Sequence, residues 1–332
     1  LAIGRRLTAG GMAGATPAAV VRWAGTAAQQ VLTGTLADIA EKARQANLEP
    51  PAIVLVGKVV SLRESLEWFQ RRPLFGQRIA VTRAADQAGE LAQRLEELGA
   101  AVTECPVITI QPPADLSPLR QAVANLRAFD WIVFASVHAV EAFFAALTEA
   151  GGDGRSLAAC RLCCVGPATA ARLGQFGLHA DLQPEAYNTD NLIEALARAT
   201  DVRGLRILCP RSDVAPPELL DALAARGAGV TPVVAYRTQV DKAGAECLAR
   251  LVKEGNVDWI TFTSSSTVRG LLSAVEPEAM RHQSVRLASI GPATSATLRR
   301  AGLEPAVEAA EHTMVGLVDA MIAACRGREV RE

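Results

Sequence analysis

The chain repeats itself. Arg78-Ile-Ala-Val-Thr-Arg83 recurs 128 residues later as Arg206-Ile-Leu-Cys-Pro-Arg211, and the same offset carries Leu91 onto Leu219, Leu95 onto Leu223 and Gly99 onto Gly227. Farther on, Asp130-Trp131-Ile132, Phe134, Ser136 and Val140 meet Asp258-Trp259-Ile260, Phe262, Ser264 and Val268 at that offset. After a three-residue slip, Gly166-Pro-Ala-Thr169 meets Gly291-Pro-Ala-Thr294, and Gly177-Leu178 meets Gly302-Leu303. A duplication of one domain length predicts two similar α/β lobes facing each other across a cleft, a common place for a small-molecule site.

Composition narrows the class. With 332 residues, half of them hydrophobic, the chain can bury two or three domain cores. A net charge of −1, with no run of Lys or Arg, argues against a nucleic-acid partner. The longest apolar runs, such as Trp131 to Ala135, are of strand length, well short of the roughly 20 residues of a membrane span. Leu1-Ala-Ile-Gly-Arg-Arg places apolar residues ahead of the charges, the reverse of a secretory signal, so the chain reads as cytoplasmic. Seven cysteines, an odd number, do not suggest a disulfide framework. Cys160, Cys163 and Cys164 lack a second Cys/His cluster that would complete a zinc site, so no metal is expected. Cys163, Cys164 and Cys209 lie in apolar strand patterns, where a thiol acts as a small core hydrophobe.

Residues 1–72 stand outside the repeat. Thr35-Leu-Ala-Asp38 reads as a helix start with Thr35 as N-cap, the helix running to about Ala46. Ala52-Ile-Val-Leu-Val-Gly57 reads as a buried strand, and a second helical pattern passes through Leu62, Leu66 and Phe69. Residues 73–76, with Arg71 and Arg72 before them, carry Pro73 and Gly76 and read as a linker. From Gln77, strands alternate with helices: a strand at Ile79 to Thr82, a helix at Gln87 to Leu98, a strand at Val102 to Ile110, then strands at Trp131 to Ala135, Leu162 to Val165 and Ala180 to Leu182 before the set restarts at Arg206. Continuous rather than alternating hydrophobicity predicts doubly wound parallel sheets covered on both faces. Ligand groups then gather beyond the carboxyl ends of the strands.

The repeated turns lie there. Phe134-Ala-Ser136-Val137, Phe262-Thr-Ser264-Ser-Ser266-Thr267 and the two Gly-Pro-Ala-Thr turns ending in Thr169 and Thr294 each join a strand to a helix, with hydroxyls placed to cap it. Amides at such helix starts, with the helix dipole behind them, attract anions; simple helix capping is the competing reading. Arg83 and Arg211 end equivalent strands and are candidate carboxylate forks, with solvated surface arginines as the alternative. Neither a dinucleotide fingerprint nor a Walker sequence occurs, and no cofactor is expected. Tyrosine is rare, at Tyr187 and Tyr236 alone. Tyr236 ends the apolar strand Val233-Val-Ala-Tyr236 opposite Ile108 of the first copy, and its phenol can donate a proton to a departing hydroxyl. A core tyrosine bonded to backbone is the alternative. His138, His179, His282 and His312 are scattered and form no recognised catalytic set.

Taken in order and spacing, Asp-Trp-Ile-x-Phe-x-Ser, the Gly-Pro-Ala-Thr turns and Val-Val-Ala-Tyr236-Arg-Thr resemble uroporphyrinogen-III synthase over about Gln77 to Cys325. The resemblance implies a segment-swapped bilobal domain over 77–327, with 77–108 plus 238–327 as one lobe, 109–237 as the other, and two strands joining them. It implies a hydro-lyase that cyclises hydroxymethylbilane, a linear tetrapyrrole with eight carboxylates, losing water and inverting ring D. Tyr236 matches the family tyrosine proposed to help the hydroxyl leave; Ser136, Thr169, Ser264, Ser266 and Thr294 match cleft hydroxyls. Passing contact with the preceding or following pathway enzymes is also implied.

The leading residues resemble another family. Val20-Val-Arg22-Trp23, Thr33-Gly-Thr-Leu36 and Pro51-Ala-Ile-Val-Leu-Val-Gly57 are similar to the carboxyl end of uroporphyrinogen-III C-methyltransferase, an S-adenosylmethionine enzyme. That makes 1–72 a partial α/β methyltransferase module in a truncated fusion, with no methylation expected from these residues. The competing readings are a two-lobed anion-binding protein without chemistry, and a bifunctional enzyme if an upstream lobe is present.

Overall fold

The structure is a computed structural model that describes residues 2–184, 189–282 and 285–329; Tyr187 lies outside them. The chain divides into two compact units. Unit one holds the residues up to 106, then 244–310 and those from 314 onward; unit two holds 107–243 with 311–313.

Within unit one the leading segment has its own small sheet. After α1 (Ala2–Ala9), β1 (Pro17–Arg22) pairs antiparallel with β2 (Gln30–Thr35), α2 (Ile39–Gln45) follows, and β3 (Ala52–Val56) pairs with the other edge of β1, giving the order β2-β1-β3. Ala18, Val20, Leu36 and Ile39 form its core. Two expectations are corrected here. Thr35 ends β2 instead of capping α2; the Asp38 carboxylate accepts hydrogen bonds from the Thr35 amide (2.7 Å) and hydroxyl (3.2 Å), which holds the turn ahead of the helix. The apolar run 52–56 does form a strand, but at a sheet edge, so Ile53 is 56% exposed and Val54 and Leu55 are exposed as well. The helical pattern beyond it shrinks to a 3-10 turn at Lys58–Leu62 and the single turn α3 (Arg63–Leu66), with Leu62 and Leu66 turned to solvent. Residues 73–76 do not form a free linker. Leu74 is fully buried in the unit-one core, and its amide bonds the Leu98 carbonyl at 3.0 Å.

Unit one continues with β4 (Arg78–Val81), α4 (Ala85–Glu97) and β5 (Ala101–Glu104). The single strand expected over Val102 to Ile110 is split. Cys105 and Pro106 interrupt it, proline lacking the amide a ladder needs, and the residues beyond join the other sheet. Unit two then runs through β6 (Ile108–Gln111), α5 (Ser117–Ala124), β7 (Trp131–Phe134), α6 (Val137–Glu149), β8 (Arg161–Cys164), α7 (Pro167–Gly174), α8 (Thr189–Ala199), β9 (Arg206–Ser212), α9 (Glu218–Ala225) and the long β10 (Gly229–Val240). Its sheet order is β6-β10-β9-β7-β8, parallel except for the antiparallel edge β6. Ala180 to Leu182, expected as a strand, makes only one bridge, Cys163 to Leu182. The Asp181 side chain accepts the Leu162 amide at 2.7 Å where a ladder would have used backbone.

The chain re-enters unit one with α10 (Lys242–Lys253), β11 (Trp259–Phe262), α11 (Ser265–Leu272), α12 (Pro277–His282), β12 (Arg286–Ser289), α13 (Pro292–Arg300), β13 (Val307–Glu308) and α14 (Met314–Glu329). The order β13-β12-β11-β4-β5 is parallel throughout.

Burial on both faces explains the continuous apolar strands. In unit two, Ile132, Phe134, Leu162, Cys164 and Leu208 pack with α5, α6 and α7 on one face. Trp131, Val133, Cys163, Ile207 and Cys209 pack with α8 and α9 on the other. Burial pushes the Cys164 thiol up to about 11 and that of Cys209 up to about 12, as suits thiols acting as core hydrophobes.

Candidate functional site

In unit two, Tyr236 owes its position to a break in β10. Val233 and Ala235 point into the core, Val234 points out, and strict alternation would send Tyr236 out with Val234. The pairing with β9 slips between Val234 and Tyr236, and this bulge turns the ring back against the same core that holds Val233 and Ala235. Its hydroxyl meets Ser136 Oγ at 3.0 Å, either group being able to donate. Ser136 is the N-cap of α6, and its Oγ accepts the Ala139 amide at 3.1 Å. One hydroxyl therefore caps a helix and holds a phenol. Burial raises the Tyr236 pKa, partly opposed by the Ser136 hydrogen bond; Asp213 raises it further and Arg211 lowers it. The phenol stays protonated at neutral pH, a proton donor held at the carboxyl ends of the strands.

Residues that sequence reasoning passed over surround it. The His138 ring lies 5.5 Å from the Tyr236 ring, centroid to centroid, and His138 Nδ1 is 3.3 Å from Glu141 Oε2. Glu141 Oε1 in turn lies 3.0 Å from Arg172 Nε, an ion pair by distance whose angle is not that of a hydrogen bond. Spacing on α6 carried a signal for part of this, since His138 and Glu141 are three apart on one helical face. Tyr236, His138 and Glu141 border a groove of unit two that Ile110, Leu116 and Ala142 also line. Asp213 is raised by its burial, but the Thr238 amide (3.0 Å), Ser212 Oγ (3.1 Å), the Val214 amide and Arg237 outweigh this and hold it below the usual carboxylate range. Arg211 is partly committed. Its Nη2 donates to the Ala215 carbonyl and to the Pro216 carbonyl at 2.8 Å, bracing the loop before α9, so two of the bonds expected for a ligand carboxylate go to backbone.

Unit one gathers the remaining candidates. Ser264 repeats the part of Ser136: it is the N-cap of α11, its Oγ accepts the Thr267 amide at 3.3 Å, and it lies 2.8 Å from Ser266 Oγ. Arg83, just beyond β4, donates through Nε to Gln87 at 2.8 Å; burial lowers its pKa against the pull of Glu90 and Asp86. The Gly-Pro-Ala-Thr turns differ from the expectation. Gly166 and Gly291 occupy the cap positions and no side chain caps α7 or α13. Thr169 and Thr294 sit one turn in, 5% and 3% exposed, as packing residues of the helix start. Behind Gly291, buried Ser289 and Ser295 share a hydrogen bond of 2.9 Å that shapes the turn.

A family model described as Uroporphyrinogen-III synthase HemD matches residues 89–319. The chain belongs to the uroporphyrinogen-III synthase family. The uroporphyrinogen-III synthase of Synechococcus elongatus is 35% identical over 256 residues, covering 74% of this chain and 95% of that protein. The porphyrin biosynthesis protein HemD of Ruminiclostridium josui is 30% identical over 312 residues; the match takes in 94% of this chain, and this chain spans 61% of that protein's length. A crystal structure of a mutant uroporphyrinogen III synthase from the extremely thermophilic bacterium Thermus thermophilus superposes with a TM-score of 0.59 at 22% identity, covering 76% of this chain and 99% of that one. That likeness establishes the synthase-type α/β fold with parallel sheets.

Proposed function

We propose that this chain is a uroporphyrinogen-III synthase, closing hydroxymethylbilane to uroporphyrinogen III with loss of water and inversion of ring D. The observation that carries the reading is the neutral phenol of Tyr236, held by Ser136 at the carboxyl end of a parallel sheet in a member of this family. In this reading the phenol gives its proton to the departing hydroxyl as the carbon–oxygen bond breaks, so that water leaves. The phenolate regains a proton when the closing ring loses its own. Acid help is the smaller part. The linear substrate is intrinsically reactive, so holding it in the conformation that leads to the inverted ring is the main task, an effect of orientation.

The helix starts of α6 and α7 in unit two, and those of α11 and α13 in unit one, each offer backbone amides and a helix dipole that favour anions such as the eight carboxylates of the substrate. Arg83 supplies a partly desolvated guanidinium, and Arg211 offers the donors it does not spend on Ala215 and Pro216. Ser264 and Ser266 add hydroxyls beside α11, and Thr169 and Thr294 shape the amide turns. No cofactor enters this chemistry. The two five-stranded sheets are read as descendants of one duplicated unit whose segments were exchanged: β4 and β5 of the first copy lie with β11 to β13 of the second, while β9 and β10 lie with β7 and β8. Residues 1–72 are read as the carboxyl-terminal part of a tetrapyrrole methyltransferase. The quoted sequence resemblance supports this. A cytoplasmic setting, beside enzymes that make the bilane or consume the macrocycle, completes the reading.

The test is a coupled assay with freshly made hydroxymethylbilane, the oxidised products being resolved into uroporphyrin isomers. Type III product above the enzyme-free control is expected. Type I product alone would overturn the proposal.

A further inference from the structure

Two of the seven cysteines stand apart from the cores described above. Cys105 and Cys247 are 142 residues apart in the chain, yet their Sγ atoms lie 3.5 Å apart within unit one. Cys105 follows β5 and is fully buried, its amide bonded to the Val81 carbonyl at 2.9 Å. Cys247 lies on α10 and is only half-buried. Gly244 brings them together. A Cβ at that position would stand 1.8 Å from the Pro106 carbonyl oxygen, so α10 rests directly on the backbone that follows Cys105, and Cys247, one helical turn on, is carried against its thiol.

We propose that Cys105 and Cys247 form a dithiol modification site, oxidised by small-molecule disulfides to an intramolecular disulfide. The sulfurs need to close from 3.5 Å to about 2.05 Å. The half-buried Cys247 reacts first, with Arg250 Nη2 lying 3.8 Å from its sulfur. Its thiolate attacks one sulfur of a disulfide such as glutathione disulfide; the S–S bond breaks and one glutathione leaves, taking up the proton Cys247 gave away. Cys105 then attacks the Cys247 sulfur, and the second glutathione leaves with the Cys105 proton. Two electrons pass from the protein to glutathione, and two thiols become one disulfide. Burial, followed by the contact with Cys247, pushes the Cys105 thiol up to about 12, which suits it to the second, sheltered step. The bond would tie the segment where the chain leaves unit one, at 105–106, to the helix by which it returns. The closed loop contains almost all of unit two, and cross-links across long loops restrict the unfolded chain most.

The experiment treats the full chain with glutathione disulfide, blocks residual thiols with iodoacetamide and digests with trypsin. Residues 95–120 and 243–250 are the expected peptides, each holding a single cysteine, so the link is unambiguous. We expect the two peptides joined, a melting temperature several degrees higher than that of the reduced protein, and neither effect in Cys247→Ser. In Cys105→Ser the reaction should stop at glutathione on Cys247. Separate alkylated peptides, a wild-type reaction that stops at the mixed disulfide, or an equal rise in melting temperature in Cys247→Ser would each overturn the proposal.

Discussion

Arg78 grips Asp258 through both backbone and side chain: its amide lies 2.8 Å and its Nε 3.1 Å from Oδ2, and its Nη2 lies 2.7 Å from Oδ1. In unit two, Arg206 holds Asp130 in the same way, amide to Oδ2 at 2.9 Å and Nη2 to Oδ1 at 2.8 Å. The sequence offset that relates Arg78 to Arg206 also relates Asp130 to Asp258. Each pair therefore links residues whose counterparts at that offset form the other pair. A cation also covers a tryptophan in each unit: the guanidinium of Arg161, at the start of β8, lies over Trp131 at 5.7 Å, and that of Arg286, at the start of β12, lies over Trp259 at 4.2 Å. A fork that also satisfies a backbone amide fixes where β4 begins beside β11, and where β9 begins beside β7.

Asp258→Asn should cost about 1–3 kcal/mol in urea unfolding, because it removes a charge-assisted fork from a half-buried site. Asp130→Asn, whose pair is more exposed, should cost less. Burial raises Asp258, but Arg78 outweighs it and leaves the folded pKa below the ordinary carboxylate value of about 3.9. The stability it contributes is therefore complete above that value and lost as pH falls through the folded pKa. Wild type should lose more stability than Asp258→Asn on acidification over that range; parallel losses would remove the fork from the acid response.

Tyr236→Phe should leave the fold intact and slow formation of the type III isomer about a hundredfold, the low end of general-acid effects. It removes one hydroxyl from a bond to Ser136 and nothing from the packing of the ring. Ser136→Ala takes away the N-cap of α6 as well, and should lower stability by about 1 kcal/mol besides slowing turnover. Rates with hydroxymethylbilane and thermal melts on both variants separate the two effects. An unchanged rate in Tyr236→Phe would leave conformational control as the whole of catalysis.

The pH profile offers a separate reading of the same phenol. Its neutral form is the donor, so activity should persist as pH rises to the ordinary tyrosine value of about 10 and decline only beyond it, since burial raises Tyr236. Phenolate absorbance, with Tyr187→Phe as the background to remove the other tyrosine, should titrate with that alkaline limb. A limb centred below 10, or one that survives in Tyr236→Phe, would assign the titration to another group.

Legibility followed burial. Strands such as Trp131 to Phe134 were plain in the sequence because cores on both sheet faces make every residue apolar. Ile53 to Leu55 carried the same signal and misled, since an edge strand in a three-stranded sheet has too little around it to be buried. Tyr236 stood out by rarity and by its strand end. Its bond to Ser136, 100 residues away, depends on the order β10-β9-β7 and on a bulge that no periodicity announces. His138 was set aside with the other scattered histidines because nothing near it in sequence supplies the phenol it packs against.

Gly244 was silent in the sequence for the same reason: its partner is Pro106, and only the folded chain brings them together. Its backbone is helical, so the glycine is needed for closeness and not for an unusual turn. In Gly244→Ala the new methyl would meet a carbonyl oxygen at 1.8 Å, and neither element is a flexible side chain able to yield. Helix α10 must shift away from the 105–106 backbone. Overpacking of this kind costs about 1–3 kcal/mol, and the same shift should draw Cys247 away from Cys105. Gly244→Ala should therefore lower the urea midpoint and, under glutathione disulfide, yield less of the joined peptides 95–120 and 243–250 than wild type. A variant of wild-type stability with undiminished cross-linking would show that α10 does not owe its place to this contact.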